Sequence, residues 1–188
     1  MDSKIVLRSS SPRRKAFLEN LGLSFEISPL SISEDPIHGE TYSDYLRRIT
    51  LSKLGNFENN SRDLYIASDT IVVFSHKLFP KPETEERNLE YLLELNGKTH
   101  SVLTGIAMKQ GNQSIYEFEE TLVSFTHWKE REIKAYISKY KPMDKAGGYG
   151  IQDEKGPVKE ITGSYWNVVG FPARTFYSHH KLWSRFMQ

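Results

Sequence analysis

The chain has 188 residues, of which 26% are charged and 12% aromatic, and it contains no cysteine. This composition is ordinary for a globular protein and excludes gross disorder, a disulfide framework and a thiolate metal site. A formal net charge of +1 excludes a global basic field that would attract nucleic acid or a membrane surface, so any anion recognition must be local. No stretch resembles a signal peptide or a bilayer span. We therefore expect a cytoplasmic protein with no nucleic-acid or membrane partner.

The first motif follows a short apolar run, Ile5-Val6-Leu7, which predicts a buried strand. Three serines and Pro12 come next, and a helical pattern then extends to Gly22. Proline suits the first turn of a helix, a preceding serine is a favoured N-cap, and glycine ends helices in a left-handed conformation. A helix N-terminus beside Arg13 and Arg14 makes a ready anion site. The alternative is a capped helix with two solvated arginines.

The later elements are predicted from hydrophobic periodicity and from helix and turn signals. They are a strand over 23–27, a helix capped at Thr41, apolar runs over 64–67 and 71–74, a helix over 83–95, a hairpin of 100–108 and 114–127, a helix over 129–140, a strand over 158–161, a turn over 162–167 and a helix that opens at Pro172. Strands mixed with helices, plus one hairpin, predict an α/β protein with a mixed sheet flanked by helices. Apolar and aromatic residues of the hairpin could form a homodimer patch, namely Ile115, Tyr116 and Phe118.

Asp69 has the least expected placement, because it separates two apolar runs. An unpaired buried carboxylate is costly, so we expect Asp69 at a strand end, where it is paired, caps a helix or faces a metal. Nucleophilic catalysis is poorly supported, since no Gly-x-Ser-x-Gly motif is present, and His100 is interpreted as a packed residue rather than a base.

Asp69 belongs to a set of charges at the ends of apolar runs. Such a set fits metal-assisted attack on a phosphoanhydride, in which carboxylates hold Mg²⁺ or Mn²⁺, cations neutralise phosphates and one carboxylate activates water. The alternative is a set of solvated surface charges. The other members are Arg13, Arg14, Glu34, Lys53, Lys81 and Lys145.

Six short motifs, in this order, resemble those of the Maf family of nucleoside triphosphate pyrophosphatases, once described as septum formation inhibitors. They are Ser9-x-Ser11-Pro12-Arg13-Arg14, Ser68-Asp69-Thr70, Lys81-Pro82, Leu95-x-Gly97-x-x-His100-x-Val102-x-Thr104, Asp144-Lys145-Ala146-Gly147-x-Tyr149-Gly150-Ile151-Gln152 and Gly163-Ser164-Tyr165-x-x-Val168-x-Gly170-x-Pro172. The resemblance covers nearly the whole chain and implies a single Maf-like domain over 1–188. It also implies an elongated two-lobed fold, related to the inosine triphosphate pyrophosphatases, with a central cleft.

The resemblance implies an activity as well. Members of this family hydrolyse a nucleoside triphosphate to the monophosphate and pyrophosphate with a divalent metal, Mg²⁺ or Mn²⁺. By position, Asp69 matches the proton acceptor, and Glu34 matches the acidic residue of the loop after the second strand. We expect Asp69 and Glu34 to hold the metal. The phosphate-contacting positions of the family match Ser9, Arg14, Lys53 and Lys81.

Three further positions divide the family by substrate. Members that act on dTTP and UTP resemble this chain at Arg13, Thr70 and Gln152, where members that act on 7-methyl-GTP carry tryptophan, glutamine and glutamate. The neutral Gln152 amide offers a donor and an acceptor to a pyrimidine edge. The resemblance therefore implies dTTP and UTP as substrates, with modified pyrimidine nucleotides as further candidates. A 7-methyl-GTP or broad-specificity pyrophosphatase and a non-enzymatic regulator of cell division stay open as alternatives.

Two residues depart from the family pattern. Arg8 replaces a small residue before the serine turn, and we expect its side chain to point to solvent. Pro80 replaces the glycine before Lys81, and we expect it to stiffen that loop.

Overall fold

The chain contains both strands and helices in the computed structural model, which describes residues 3–56 and 62–187. No helix of this described part is long and apolar enough to cross a membrane. In chain order the elements are β1 (Ile5–Leu7), α1 (Pro12–Asn20), β2 (Phe25–Ile27), α2 (Tyr42–Leu54), β3 (Leu64–Phe74), β4 (Lys77–Leu78), α3 (Glu85–Leu95), β5 (Thr99–Gln110), β6 (Gln113–Phe125), α4 (Glu130–Tyr140), β7 (Val158–Thr162), α5 (Tyr165–Val169), α6 (Ala173–Ser178) and α7 (His180–Trp183).

The strands form one mixed sheet in the order β2-β1-β3-β5-β6-β7, with β4 paired to β3. Strand β1 is parallel to both β2 and β3, whereas the β3–β4 and β6–β7 pairs are antiparallel. Strands β5 and β6 are neighbours joined by Gly111 and Asn112, which confirms the predicted hairpin. The predicted mixed sheet flanked by helices is also confirmed. The elongated shape and the central cleft stay predictions.

The chain divides into two compact units, each with an apolar core of its own. The first unit comprises Met1–Asp69, Thr104–Glu119 and Gly170–Gln188, and the second comprises Thr70–Leu103 and Glu120–Val169. The first core includes Ile5, Leu7, Phe17, Leu64, Ile66, Ile106, Phe171, Phe176 and Trp183. The second includes Val72, Phe79, Tyr91, Leu95, Val102, Phe125, Ile133, Tyr136 and Tyr149. A single Maf-like domain over 1–188 stays a prediction.

The helix starts follow the predicted capping chemistry in part. Thr41 caps α2 and Thr84 caps α3, because each side chain accepts a hydrogen bond from a backbone N–H three residues later. Pro12 opens α1 as predicted, but the Ser11 side chain makes no capping hydrogen bond. Ser9 Oγ instead accepts a hydrogen bond from the Ser11 backbone N–H at 3.2 Å. The serine turn is therefore closed by its first serine and not by its last.

Two predictions near the C-terminus are wrong. The predicted turn over 162–167 ends in a short helix, α5, because Ser164 accepts from the Asn167 backbone and the buried Asn167 side chain donates to Val102 O at 2.9 Å. The helix predicted from Pro172 is interrupted at His179. Beyond this break Trp183 stacks on Phe176 with ring centroids 4.6 Å apart and donates to Phe176 O, a contact within the core that a straight helix would not provide.

Two of the three members of the proposed hairpin patch are partly buried. Ile115 packs against the first core, and Tyr116 packs against a small cluster with Leu54 and Ala107. Only Phe118 of the three is largely exposed, at 43%. The homodimer and its hairpin patch stay predictions.

Candidate active site

The candidate site forms in the first unit, where β1 ends beside β3. The Arg8 backbone N–H donates to Ile66 O at 2.8 Å and so links the end of β1 to the parallel strand β3. Beyond this point the chain after β1 turns at Ser9 into helix α1, whereas β3 continues through Asp69. Ligands of α/β sheets bind beyond the carboxyl ends of the strands, and this is such a position.

Asp69 is buried in the middle of β3, so the prediction that it sits at a strand end is wrong. Its Oδ1 lies 2.9 Å from Lys53 Nζ and 3.7 Å from Arg14 Nη2. Two cations thus compensate the cost of placing a carboxylate inside a strand. The prediction that Asp69 is paired is confirmed, and pairing is what allows the strand to continue.

Arg14 is held by more than its contact with Asp69. Its Nε donates to Gly170 O at 2.9 Å, and its Nη1 donates to Ser9 Oγ at 3.1 Å. Burial lowers the pKa of Arg14, the Asp69 carboxylate opposes that shift, and the charge of nearby Arg13 adds to it. An arginine stays charged in proteins, so this is a fixed positive group. Arg14 is therefore not solvated, whereas Arg13 is half-buried.

Lys53, from the last turn of α2, joins two carboxylates. Its Nζ lies 2.8 Å from Glu34 Oε1 and 2.9 Å from Asp69 Oδ1. The Glu34 side chain is half-exposed, while the Asp69 side chain is 13% exposed. The structure thus brings Ser9, Arg14, Glu34, Lys53 and Asp69 together in one cluster of the first unit.

Sequence reasoning missed two residues that hold the Glu34 loop. Tyr45 OH donates to Glu34 O at 2.8 Å, and burial raises the pKa of Tyr45 to about 12, so the hydroxyl remains a donor. Arg48, one turn later, donates to both carboxylate oxygens of Glu40 and to Asp35 O. The only signal in the sequence was helical spacing, from which Tyr45 is interpreted as a core residue.

Asp69 and Glu34 are the candidate metal ligands. Within residues 3–56 and 62–187, no three or more His, Asp or Glu side chains form a group that could hold a metal. The two carboxylates nevertheless converge on one ammonium group, that of Lys53. Mg²⁺ is commonly bound by one or two carboxylates together with substrate phosphates and water. The pair therefore fits a cation that binds with a nucleotide and does not fit an all-protein cage.

The remaining predicted residues lie in the second unit. Thr70 is half-buried on β3, and Lys81 and Gln152 are exposed on two loops. Gly147, on the loop that leads to Gln152, donates its backbone N–H to Phe79 O at 2.8 Å, just before the Lys81 loop. The two loops are thus tied to each other within this unit.

Arg8 does not point to solvent, so that expectation is wrong. Its Nη1 donates to Ser28 O at 3.0 Å and to Ser28 Oγ at 2.7 Å, and its guanidinium lies over the Tyr65 ring. Arg8 therefore connects the end of β1 to the segment that follows β2.

A family model described as Maf-like protein matches residues 4–181. The chain belongs to the Maf family. Of the cluster described above, Ser9 and Arg14 come from the first Maf motif and Asp69 from the second, whereas Glu34 and Lys53 lie outside all six motifs.

Curated relatives cover nearly the whole chain. A dTTP/UTP pyrophosphatase of Leptospira borgpetersenii is 44% identical over 185 residues, which cover 98% of each chain. One from Leptospira biflexa is 46% identical over 179 residues, 95% of this chain and 93% of the relative. One from Bacillus cereus is 41% identical over 172 residues, 90% of each chain. Identity of this extent agrees with the family match.

Two solved structures show a weaker likeness. The Staphylococcus aureus Ham1 protein has a TM-score of 0.45 and 13% identity, and it covers 65% of this chain and 72% of its own. A nucleoside-triphosphatase, or dITP/XTP pyrophosphatase, from Mycobacterium abscessus has a TM-score of 0.45 and 12% identity over 95% of this chain and 93% of its own. At these scores neither comparison bears on the residues of the site.

Proposed function

We propose that this Maf protein hydrolyses dTTP and UTP to the nucleoside monophosphate and pyrophosphate. Relatives that are 41–46% identical over most of the chain carry this activity in their names. The observation that carries the proposal is the buried Asp69 carboxylate between Lys53 and Arg14. A carboxylate flanked by fixed cations suits a reaction in which water is deprotonated beside a polyanion.

Asp69 takes the proton from the attacking water. The water oxygen bonds to the α-phosphorus while the bond from that phosphorus to the bridging oxygen breaks, and the electron pair leaves with pyrophosphate. Lys53 and Arg14 stabilise the charge on the phosphoryl oxygens. Ser9 Oγ accepts from Arg14 Nη1, so its own hydrogen is available for a phosphate oxygen.

A divalent cation, Mg²⁺ or Mn²⁺, is part of the proposal. Asp69 and Glu34 would hold it, and when bound it supplies further positive charge to the phosphates. The Lys53 ammonium keeps both carboxylates in place through its contacts of 2.8 and 2.9 Å.

The remaining assignments rest on the Maf resemblance. Lys81 contacts phosphate, and Arg13, Thr70 and Gln152 contact the nucleotide and select the pyrimidine base. The Gln152 amide pairs a donor and an acceptor with the base edge. Modified pyrimidine nucleotides with the same edge are further candidate substrates.

The Asp69→Asn variant tests the proposal. The amide keeps the shape of the side chain but cannot take a proton, so we expect kcat with dTTP and Mg²⁺ to fall by about 10²- to 10⁴-fold. Pyrophosphate release from dTTP and UTP measures the activity. Circular dichroism checks that the fold is kept.

Glu119→Gln is the matched control. Glu119 is another buried carboxylate of the first unit, but it binds the Thr175 backbone and Arg174 rather than Lys53. This variant should keep its turnover. Failure of the wild-type protein to release pyrophosphate from either nucleotide would refute the proposed function, and an active Asp69→Asn variant would refute the role of the carboxylate.

A further inference from the structure

The turn that presents Gln152 is closed in an unusual way. Gly150 to Asp153 form a four-residue turn in which the Asp153 backbone N–H donates to Gly150 O at 3.3 Å. Ile151 and Gln152 are its two central residues, and Gln152 is exposed. The main-chain hydrogen bond is long, so it defines the turn only weakly.

A single side chain from α4 holds both ends of this turn. Tyr136 OH accepts a hydrogen bond from the Gly150 backbone N–H at 3.0 Å and donates to Asp153 Oδ2 at 2.5 Å. The donor and the acceptor lie on either side of Gln152. A Cβ at Gly150 would approach Asp153 Oδ2 to 2.7 Å, so only glycine permits this contact without a shift.

The phenol is itself firmly placed. Tyr136 is 3% exposed, and its ring packs against Trp128 and Tyr140 at centroid distances of 5.7 and 5.1 Å. Burial, together with the hydrogen bond to Asp153, raises the pKa of Tyr136, so the hydroxyl stays protonated and can donate. An immobile donor–acceptor group thus determines where the turn backbone lies.

We propose that Tyr136 is a positioning residue that sets base selectivity by fixing the backbone on both sides of Gln152. The inference rests on the proposed function, because it assigns Gln152 to the base edge. Uracil and cytosine have the same size and both present O2 as an acceptor, but the donor and the acceptor are exchanged between N3 and the 4-position of that edge. An amide held at one place can favour one pattern, whereas an amide on a loose turn can serve both.

The test compares Tyr136→Phe with the wild-type protein. Loss of the hydroxyl should lower the ratio of kcat/KM for UTP to that for CTP by about three- to tenfold, the effect of about one neutral hydrogen bond. The change should appear mainly as a higher KM for UTP and a lower KM for CTP. Amide hydrogen exchange over 150–152 should become faster.

Tyr140→Phe is the matched control. Tyr140 is one turn further along α4, and its hydroxyl accepts from the Lys155 backbone N–H at 3.2 Å, outside the Gly150–Asp153 turn. This variant loses a phenol hydroxyl and a backbone contact but should keep the UTP/CTP ratio.

Two variants of Asp153 test the other end of the turn. Asp153→Asn retains an oxygen that can accept from Tyr136, so its UTP/CTP ratio should be close to that of the wild-type protein. Asp153→Ala has no such acceptor and should behave like Tyr136→Phe.

The outcomes separate this inference from the proposed function. A wild-type protein inactive on dTTP and UTP would refute the proposed function. Amide hydrogen exchange over 150–152 in Tyr136→Phe and in the wild-type protein would still test whether Tyr136 holds the turn. Unchanged exchange in Tyr136→Phe would overturn the inference, as would an unchanged UTP/CTP ratio. An equal fall in kcat for both nucleotides would show that Tyr136 has only a structural role. The same fall of the UTP/CTP ratio in Tyr140→Phe would show this as well.

Discussion

Asp69 shows how a single charge can be accommodated within a strand. Its carboxylate is buried on β3, and it is stable there because Lys53 and Arg14 reach it from two helices. Removing one member of a buried charge cluster leaves another charge uncompensated. The residues proposed for catalysis are therefore also residues that the first unit needs for stability.

His100 gives a prediction at the scale of one residue. It is buried beside Tyr149 OH at 2.8 Å, and burial lowers its pKa to about 4. In the unfolded chain the pKa of this histidine is about 6.5. Between pH 6.5 and pH 4 the unfolded chain therefore binds a proton that the folded chain does not bind, and this favours unfolding. We therefore expect the free energy of unfolding to fall by about 2 kcal/mol between pH 7 and pH 5 through this residue.

Denaturant unfolding at both pH values measures the effect. His100→Gln removes the titrating ring and keeps a polar group near Tyr149. In this variant the fall in the free energy of unfolding between pH 7 and pH 5 should therefore be smaller by about 2 kcal/mol. His38, which is exposed, supplies the control variant His38→Gln. Equal pH dependence in His100→Gln and the wild-type protein would contradict the assignment.

At the scale of one element, α2 organises the acidic side of the site. It contributes Lys53 directly, and it holds the Glu34 loop through Tyr45 and Arg48. Tyr45 and Arg48 lie three positions apart, and Arg48 and Lys53 lie five positions apart. Only the fold shows that all three act on the same loop. A helix interpreted from its apolar stripe alone would be assigned to the core.

Tyr45→Phe tests this role of α2. Without the donor to Glu34 O the loop should become more mobile, and the KM for nucleotide should rise by about three- to tenfold. Steady-state kinetics at fixed Mg²⁺ measure the KM, and amide exchange over 33–40 measures the mobility. The control is Tyr42→Phe, on the same helix but without a hydrogen bond among the described residues. Identical behaviour of the two variants would argue against Tyr45 as the support of Glu34.

At the scale of the whole molecule, the first unit is assembled from distant parts of the chain. Its core combines strands β1 and β3 with the C-terminal residues Phe171, Phe176 and Trp183. Phe17 on α1 stacks on Phe171 at 4.3 Å and meets Phe176 edge-on at 6.0 Å. The C-terminal segment therefore completes the core on which the candidate site is built.

Phe176→Ala should consequently destabilise the protein by about 3–5 kcal/mol, the usual cost of truncating a buried phenylalanine. Tyr177→Ala changes the next residue, which is 48% exposed, and should cost much less. Urea unfolding of both variants measures the difference. A loss in Phe176→Ala as small as that expected for Tyr177→Ala would show that the C-terminal helices contribute little to this core.

Much of the secondary structure was predictable because its signals are local. Pro12 marks the start of α1, Thr41 caps α2, and the period of two over β5 and β6 indicates the hairpin. The errors share one cause. The mid-strand position of Asp69 depends on cations that are distant in the sequence, and the break after Ser178 depends on packing between the two helices that it separates. Neither contact is contained in a local periodicity.

The sequence by itself determined the family, the element types and the identity of the residues that carry charge, since these depend on residue type, spacing and order. Only the tertiary structure decided which charges meet. Arg14 reaches Gly170 across 156 positions, and Lys53 joins Glu34 to Asp69, because side-chain reach and strand pairing act through space. It likewise revealed that Tyr136 bonds to residues before and after Gln152. A hydrogen bond depends on distance and angle, which hydrophobic periodicity does not predict.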